Sequence, residues 1–184
     1  MTRPPIWYLA VLGAHAAVRL RELAISREHE RLRGGTPSAP ATYPLMVAAH
    51  VALVALPVLE VSMRRRARPH WGWGAALIGA TALRVWSVRT LGTAWNVRAS
   101  VPADLQPVDS GPYRYIRHPN YVAVILEFLA IPLLAGAWVS AIVLSAWNGL
   151  VLFDRIRAEE RELDASATYR RVFAGRARFI PGVL

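Results

Sequence analysis

The sequence predicts an all-α membrane protein of about five transmembrane helices. The last two form a helical hairpin, and a cytoplasmic C-terminal amphipathic helix follows. Three observations carry this prediction. The 184-residue chain is 54% hydrophobic, above the usual range for a soluble domain. Its apolar residues gather in runs that approach the ~20 needed to cross a bilayer core. Residues 119–153 carry one charge, Glu127, yet as one helix they would reach about 52 Å, against ~30 Å of hydrocarbon. That last run must fold back on itself.

Taken in order, the first apolar run covers residues 4–18. Ala14-His15-Ala16 has the small-x-small form of a signal cleavage site, but the preceding charge is Arg3 alone. The run is therefore expected to be the first span. Its helix should continue through residues 19–33, where Leu20, Leu23, Ala24 and Ile25 give way to Arg27, Glu28, Glu30, Arg31 and Arg33. That pattern predicts a helix leaving the membrane and running along its interface. Gly34 to Pro40 reads as a loop. The second span is expected at residues 43–59, closed by Glu60 and Arg64 to Arg66. Arg68, Pro69 and His70 turn into a third span at 71–88, with Arg84 and Arg89 near its exit.

A long polar connector then runs to Pro119, with Pro102, Pro107, Gly111 and Pro112 in it. Connectors of this length are functional or disordered, and Trp95, Tyr113 and Tyr115 argue against disorder. Pro132, Gly136 and Trp138 mark the bend of the hairpin, giving spans at 121–134 and 137–153. Residues 154–174 should continue as a charged helix ending at Gly175, and Phe179, Ile180 and Pro181 should dock the tail on the body. The whole chain, 1–184, reads as one domain. No internal repeat is visible.

Charge sets the orientation and excludes several functions. All 22 basic residues are Arg, and the formal net charge is +10. The Arg residues flank apolar runs rather than lining a soluble stripe, so nucleic acid is not expected as a partner. Most of them fall on one side if the C-terminus is cytoplasmic. The cluster at residues 64–68 is the contrary signal. Absence of Cys excludes disulfides and thiolate chemistry, and absence of Lys excludes a Schiff base or P-loop lysine. No metalloprotease, nucleophile-elbow, dinucleotide or P-loop motif occurs. His15, His50 and His70 have no ligand spacing and read as structural, so no metal site is expected.

Two polar clusters remain. One is the segment from Tyr113 to Tyr121, entering the fourth span. The other is Arg155, Arg157, Glu159 and Glu160, leaving the fifth. The hairpin should make them neighbours. Asn148, Arg155 and Glu159 share one helical stripe, and Arg155 can pair with Glu159. Asn120, Ala123, Val124 and Glu127 share a face of the fourth span, from which Tyr121 points away. Glu127 lies deep in the apolar run, where a carboxylate is a functional candidate by default. The competing readings are an aromatic belt at Tyr115, an ion pair from Glu127 to Arg84 or Arg89, and a solvated face at Glu159 and Glu160.

Arg117-His118-Pro119-Asn120-Tyr121, followed in the next helix by Arg155 and then Glu159-Glu160, resembles the superfamily of isoprenylcysteine carboxyl methyltransferases and phospholipid methyltransferases. The resemblance covers roughly residues 83–181. Upstream, Arg21-Glu22-Leu23, Ser26-Arg27 and Tyr43-Pro44-Leu45-Met46-Val47 look like bacterial members. Some of those lie beside type III polyketide synthases and resemble alkylresorcinol O-methyltransferases. The resemblance implies an integral enzyme of the bacterial plasma membrane that uses S-adenosylmethionine, with its site facing the cytoplasm. It implies cofactor contacts from Tyr113, Arg114, Arg117, His118, Pro119, Tyr121, Glu159 and Glu160. Arg114 or Arg117 would hold the cofactor carboxylate, and Glu159 or Glu160 its amino or ribose groups. A Tyr face would favour the sulfonium. The family often has Gly two residues after the Tyr; here it is Ala123.

The partners expected are membrane lipids and a lipophilic small-molecule or prenyl/lipid substrate, with a polyketide synthase as a pathway neighbour. The substrate would come in laterally and meet Glu127, Arg155 and Asn148 as catalytic residues, with Asn120, Ala123 and Arg89 around it. Glu127 as a base would suit a phenol or hydroxyl; Arg89 or Arg155 would suit a carboxylate. The alternatives are isoprenylcysteine carboxyl methylation, phospholipid N-methylation, a non-catalytic membrane protein, and a nicotinamide-dependent reductase on a similar scaffold.

Overall fold

A computed structural model describes residues 3–33, 37–64, 68–99 and 106–182. The described residues form six α-helices and two 3-10 turns, with no strand element among them. They are α1 (Ile6–Arg33), α2 (Thr42–Ser62), α3 (Trp71–Leu91), α4 (Pro119–Leu134), α5 (Trp138–Leu163) and α6 (Ala167–Val172). The 3-10 turns lie at Gly92–Ala94 and Gly111–Arg114. α2 and α5 are long and apolar enough to cross a membrane by length and composition, and α4 is a shorter apolar helix.

α4 is the centre of the packing. It is buried along most of its length and contacts α3, α5 and α2. At 16 residues it is about 24 Å long, short of a bilayer core. Its apolarity therefore serves protein packing more than lipid contact.

The hairpin forms as the sequence predicts. Residues 135–137 turn the chain, and Gly136 takes φ +74°, a conformation that favours glycine. A Cβ at Gly136 would also meet His70 Nε2 at 3.3 Å. The start of α5 is capped from α2. Glu60 accepts from the Ser140 amide and hydroxyl, both at 2.7 Å, and from the Val139 amide at 3.3 Å. Arg64 pairs with Glu60 at 2.7 Å and donates to the Gly136 carbonyl at 2.6 Å. A carboxylate at a helix N-terminus satisfies donors that no helical carbonyl reaches. Arg64 is thus explained by the hairpin it holds, which weakens its value as a topology signal. Arg65 and Arg66 lie outside the described residues, as do Gly34, Gly35, Thr36 and Pro102.

Two expectations change. Residues 19–33 continue α1 as one 28-residue helix, but not as a free interfacial segment. Glu22 and Ser26 are buried against the body. Ser26 accepts from the Val97 amide at 2.9 Å, and His29 Nδ1 donates to the Trp95 carbonyl at 2.7 Å. These bonds tie α1 to the connector. The charged helix expected over 154–174 is broken after Leu163. The Ser166 side chain accepts from the Tyr169 amide at 3.3 Å and starts α6. The tail docks as expected: the amides of Arg117 and His118 donate to the carbonyls of Ala177 and Arg178 at 2.9 and 3.0 Å. Phe179 packs against the main core.

Candidate functional site

A cavity of about 600 Å3 opens between α1, α2, α4, α5 and the connector. One part of its wall is apolar, with Val47, Val51, Val54 and Ala55 of α2 and Leu20 and Leu23 of α1. The other carries the two polar clusters. The hairpin brings the start of α4 beside the end of α5, as the folding-back argument requires.

The polar part is built around Arg155. Its Nε donates to the Tyr121 hydroxyl at 3.0 Å, and that hydroxyl donates to Glu159. Its two NH2 groups donate to the Val97 carbonyl and, at 3.6 Å, to Met46 Sδ. One buried guanidinium thus joins α5 to α4, α2 and the connector. Arg155 and Glu159 were expected to pair directly; among the described residues they are bridged through Tyr121. Tyr121 was expected off the face shared by Asn120, Ala123, Val124 and Glu127, and among the cofactor contacts. It lines the cavity with Asn120 and Val124, whereas Ala123 and Glu127 turn from it.

His118 Nε2 donates to Glu160 at 3.1 Å, and Arg178 holds the same carboxylate at 2.8–2.9 Å. Glu160 therefore faces the tail and does not line the cavity. Arg117 lines it, with its Nε committed to the Arg176 carbonyl at 2.7 Å. Tyr113 is placed by the turn that begins at Gly111. At Gly111, φ is +56° and a Cβ would fall 2.5 Å from Thr90 Oγ1, so only glycine fits. Tyr113 packs with Leu163, Tyr169 and Phe173, and the last two stack at 4.5 Å. Burial, and then the Glu159 charge, push the hydroxyls of Tyr113 and Tyr169 up, so both stay protonated donors.

Below this part lies a buried ionic quartet that joins α1, α3 and α4. Arg84 Nε donates to both Glu22 oxygens at 2.9 and 3.0 Å, and its NH2 group lies 2.8 Å from Glu22. Arg19 pairs with Glu22 at 3.0 Å and with Glu127 at 3.3 Å. Glu127 is fully buried and is not on the cavity wall. Glu127 was expected to meet the substrate; in the fold its direct partner is Arg19, a residue 108 positions away that no local pattern indicates.

Of the site residues expected from sequence, Asn148, Arg155, Asn120, Tyr113, Arg117, His118, Tyr121 and Glu159 come together on the cavity wall. Glu127, Ala123, Pro119 and Glu160 are buried beside it, and Arg114 is exposed. Arg89 lies apart, on a second cavity of about 750 Å3 between α1 and α3. The methyl group of Ala123 is enclosed within the helix packing, so it takes no space from the cavity. Arg19, Glu22, His15 and His50 also line the cavity and were not read as site residues. The spacing of Arg19 and Glu22, one helical turn apart at the end of an apolar run, was the available signal.

The sequence model of the isoprenylcysteine carboxyl methyltransferase (ICMT) family matches residues 73–165. That range runs from α3 to the end of α5 and contains both polar clusters. The uncharacterized protein YpbQ of Bacillus subtilis (strain 168) is 33% identical over 150 residues, covering 79% of this chain and 89% of the relative. An uncharacterized protein of Haemophilus influenzae (strain ATCC 51907 / DSM 11121 / KW20 / Rd) is 28% identical over 151 residues, covering 78% and 87%.

Proposed function

Because the chain belongs to the isoprenylcysteine carboxyl methyltransferase family, we propose that it is an integral membrane enzyme that methylates an oxygen of a lipophilic acceptor, with S-adenosylmethionine as donor. The single observation that carries this reading is the Arg155–Tyr121–Glu159 network at the polar part of an otherwise apolar cavity. A water-soluble reagent and an oily one can meet there.

The residues present fit the cofactor. Arg117 keeps the rest of its guanidinium for a carboxylate after Nε is committed to Arg176. Asn120 Oδ1 is buried with no partner, an acceptor suited to an ammonium or amino group. Glu159 supplies negative charge for a cationic ligand, and Tyr113, Tyr169 and Phe173 offer aromatic surface to a flat one. When bound, the cofactor supplies an electrophilic methyl group on a sulfonium, open to in-line displacement. The chain's part is to position the acceptor oxygen and exclude water. Asn148 and Arg155 are the groups on the wall that would orient it. Glu127 acts through Arg19, as a positioning residue.

We place the enzyme in the bacterial plasma membrane with five spans. α2 and α5 meet the length and apolarity requirement on their own, and the apolar half of α1, α3 and the short α4 complete the set. The polar part of the cavity then faces the cytoplasm, beside most of the Arg residues.

The test is labelled methyl transfer by the purified protein in nanodiscs. The acceptors offered are a long-chain phenol, a prenylcysteine analogue and an amino-headgroup phospholipid. Label on the phenol oxygen is expected. Label on the phospholipid nitrogen, or on none of the three, contradicts the proposal.

A further inference from the structure

The cavity wall carries two imidazoles that the reading above does not use. His50 lies on α2, four residues after Met46, and its Nδ1 is 2.8 Å from the Met46 carbonyl oxygen. A carbonyl only accepts, so Nδ1 holds the proton and in the neutral ring Nε2 is left with a lone pair. The ring is fixed edge-on against Phe128, with centroids 5.1 Å apart. His15 of α1 lines the same cavity and is 9% exposed, and its Nε2 is buried with no partner.

The carboxylates near this wall are already engaged. Glu22 is held by Arg84 and Arg19, Glu127 by Arg19, and Glu159 by Tyr121. Glu127 Oε2 has no partner but is buried off the wall, which leaves the imidazoles as the bases of the wall not assigned to another group. Met46 also contacts Arg155 through its sulfur, which puts His50 four residues of α2, about 6 Å along the axis, beyond the network assigned to the cofactor.

The geometry points to His50 as the general base for a phenolic acceptor, with His15 as a second hydrogen-bonding group for its head. This rests on the methyltransferase reading and narrows its substrate to a lipophilic phenol. The phenol O–H bond breaks, and its proton passes to His50 Nε2. The freed oxygen electron pair forms the O–CH3 bond as the methyl–sulfur bond breaks, and that bonding pair leaves on sulfur as the thioether. The products are a methyl ether, S-adenosylhomocysteine and a proton released to water.

The test compares wild type with His50→Gln on 4-dodecylphenol, on its ring-tetrafluorinated analogue, and on dodecanoic acid. S-adenosylhomocysteine binding by calorimetry runs alongside. The fluorinated phenol is already ionised and needs no base. We expect His50→Gln to slow dodecylphenol methylation by about 100-fold or more, as loss of a general base does. The loss with the fluorinated phenol should be only a few-fold, with cofactor-product binding kept. His50→Asn serves for the same comparison if His50→Gln does not fold. Equal losses on both phenols, or none on either, overturn the base assignment. Wild type that methylates dodecanoic acid but not dodecylphenol overturns the phenol assignment and leaves the methyltransferase reading standing. Wild type that binds no S-adenosylhomocysteine overturns both.

Discussion

Arg155→Ala lowers methyl transfer by about 100-fold or more and weakens S-adenosylhomocysteine binding by about 10-fold. The guanidinium donates to Tyr121, to the Val97 carbonyl and to Met46. Hydrogen bonds from a charged group contribute roughly 1.5–3 kcal/mol each, and ~1.4 kcal/mol is tenfold in affinity. Removing the side chain also frees the Val97 turn of the connector, which forms part of the cavity wall. Tyr121 loses the donor that orients its hydroxyl toward Glu159. The control is Arg157→Ala, two residues on. Arg157 is exposed and lies over the Phe153 ring at 4.9 Å, and its loss should change neither quantity more than about twofold. Equal effects of the two substitutions in a rate and binding comparison would contradict the assignment.

Glu22→Ala destabilises the protein by about 3–5 kcal/mol, the usual loss when one partner of a buried ion pair is removed. Arg84 is 6% exposed and takes its charge compensation from Glu22 across three close contacts. Without Glu22, Arg84 and Arg19 face each other with Glu127 as the sole remaining carboxylate of the quartet. The double substitution Glu22→Gln with Arg84→Met should cost less than the sum of its two single changes, because it leaves no uncompensated charge. Denaturant titration in detergent measures both. A loss below about 1 kcal/mol for Glu22→Ala would show that water reaches the quartet.

These predictions depend on parts of the structure that differ in how far the sequence reveals them. The hairpin was legible because it followed from length: one apolar run too long for a single crossing, with Pro132 and Gly136 at its middle. Once the hairpin is placed, the nearness of His118 and Tyr121 to Glu159 and Glu160 follows, and so does the stripe of Asn148, Arg155 and Glu159. The partner of Glu127 was not legible, because the quartet pairs α1 with α3 and α4 and such pairings leave no periodic trace. Spacing set Tyr121 off the Glu127 face but could not show that Tyr121, rather than Glu127, lines the cavity. Helical spacing says which residues share a stripe, not which stripe meets a cavity. The break at 164–166 was hidden because its signal is one Ser166 cap within a strongly charged run. The short, enclosed α4 shows a further limit: an apolar face reads the same whether lipid or protein covers it. His15 and His50 looked scattered in sequence and share a wall in space.

The central claim is that the segment from Tyr113 to Tyr121 and the end of α5 together form a pocket for S-adenosylmethionine. Calorimetric titration of S-adenosylhomocysteine into the folded protein in detergent tests it most directly. The account predicts saturable one-to-one binding that weakens in Arg155→Ala and persists in His50→Gln. A folded protein that gives no binding would contradict it.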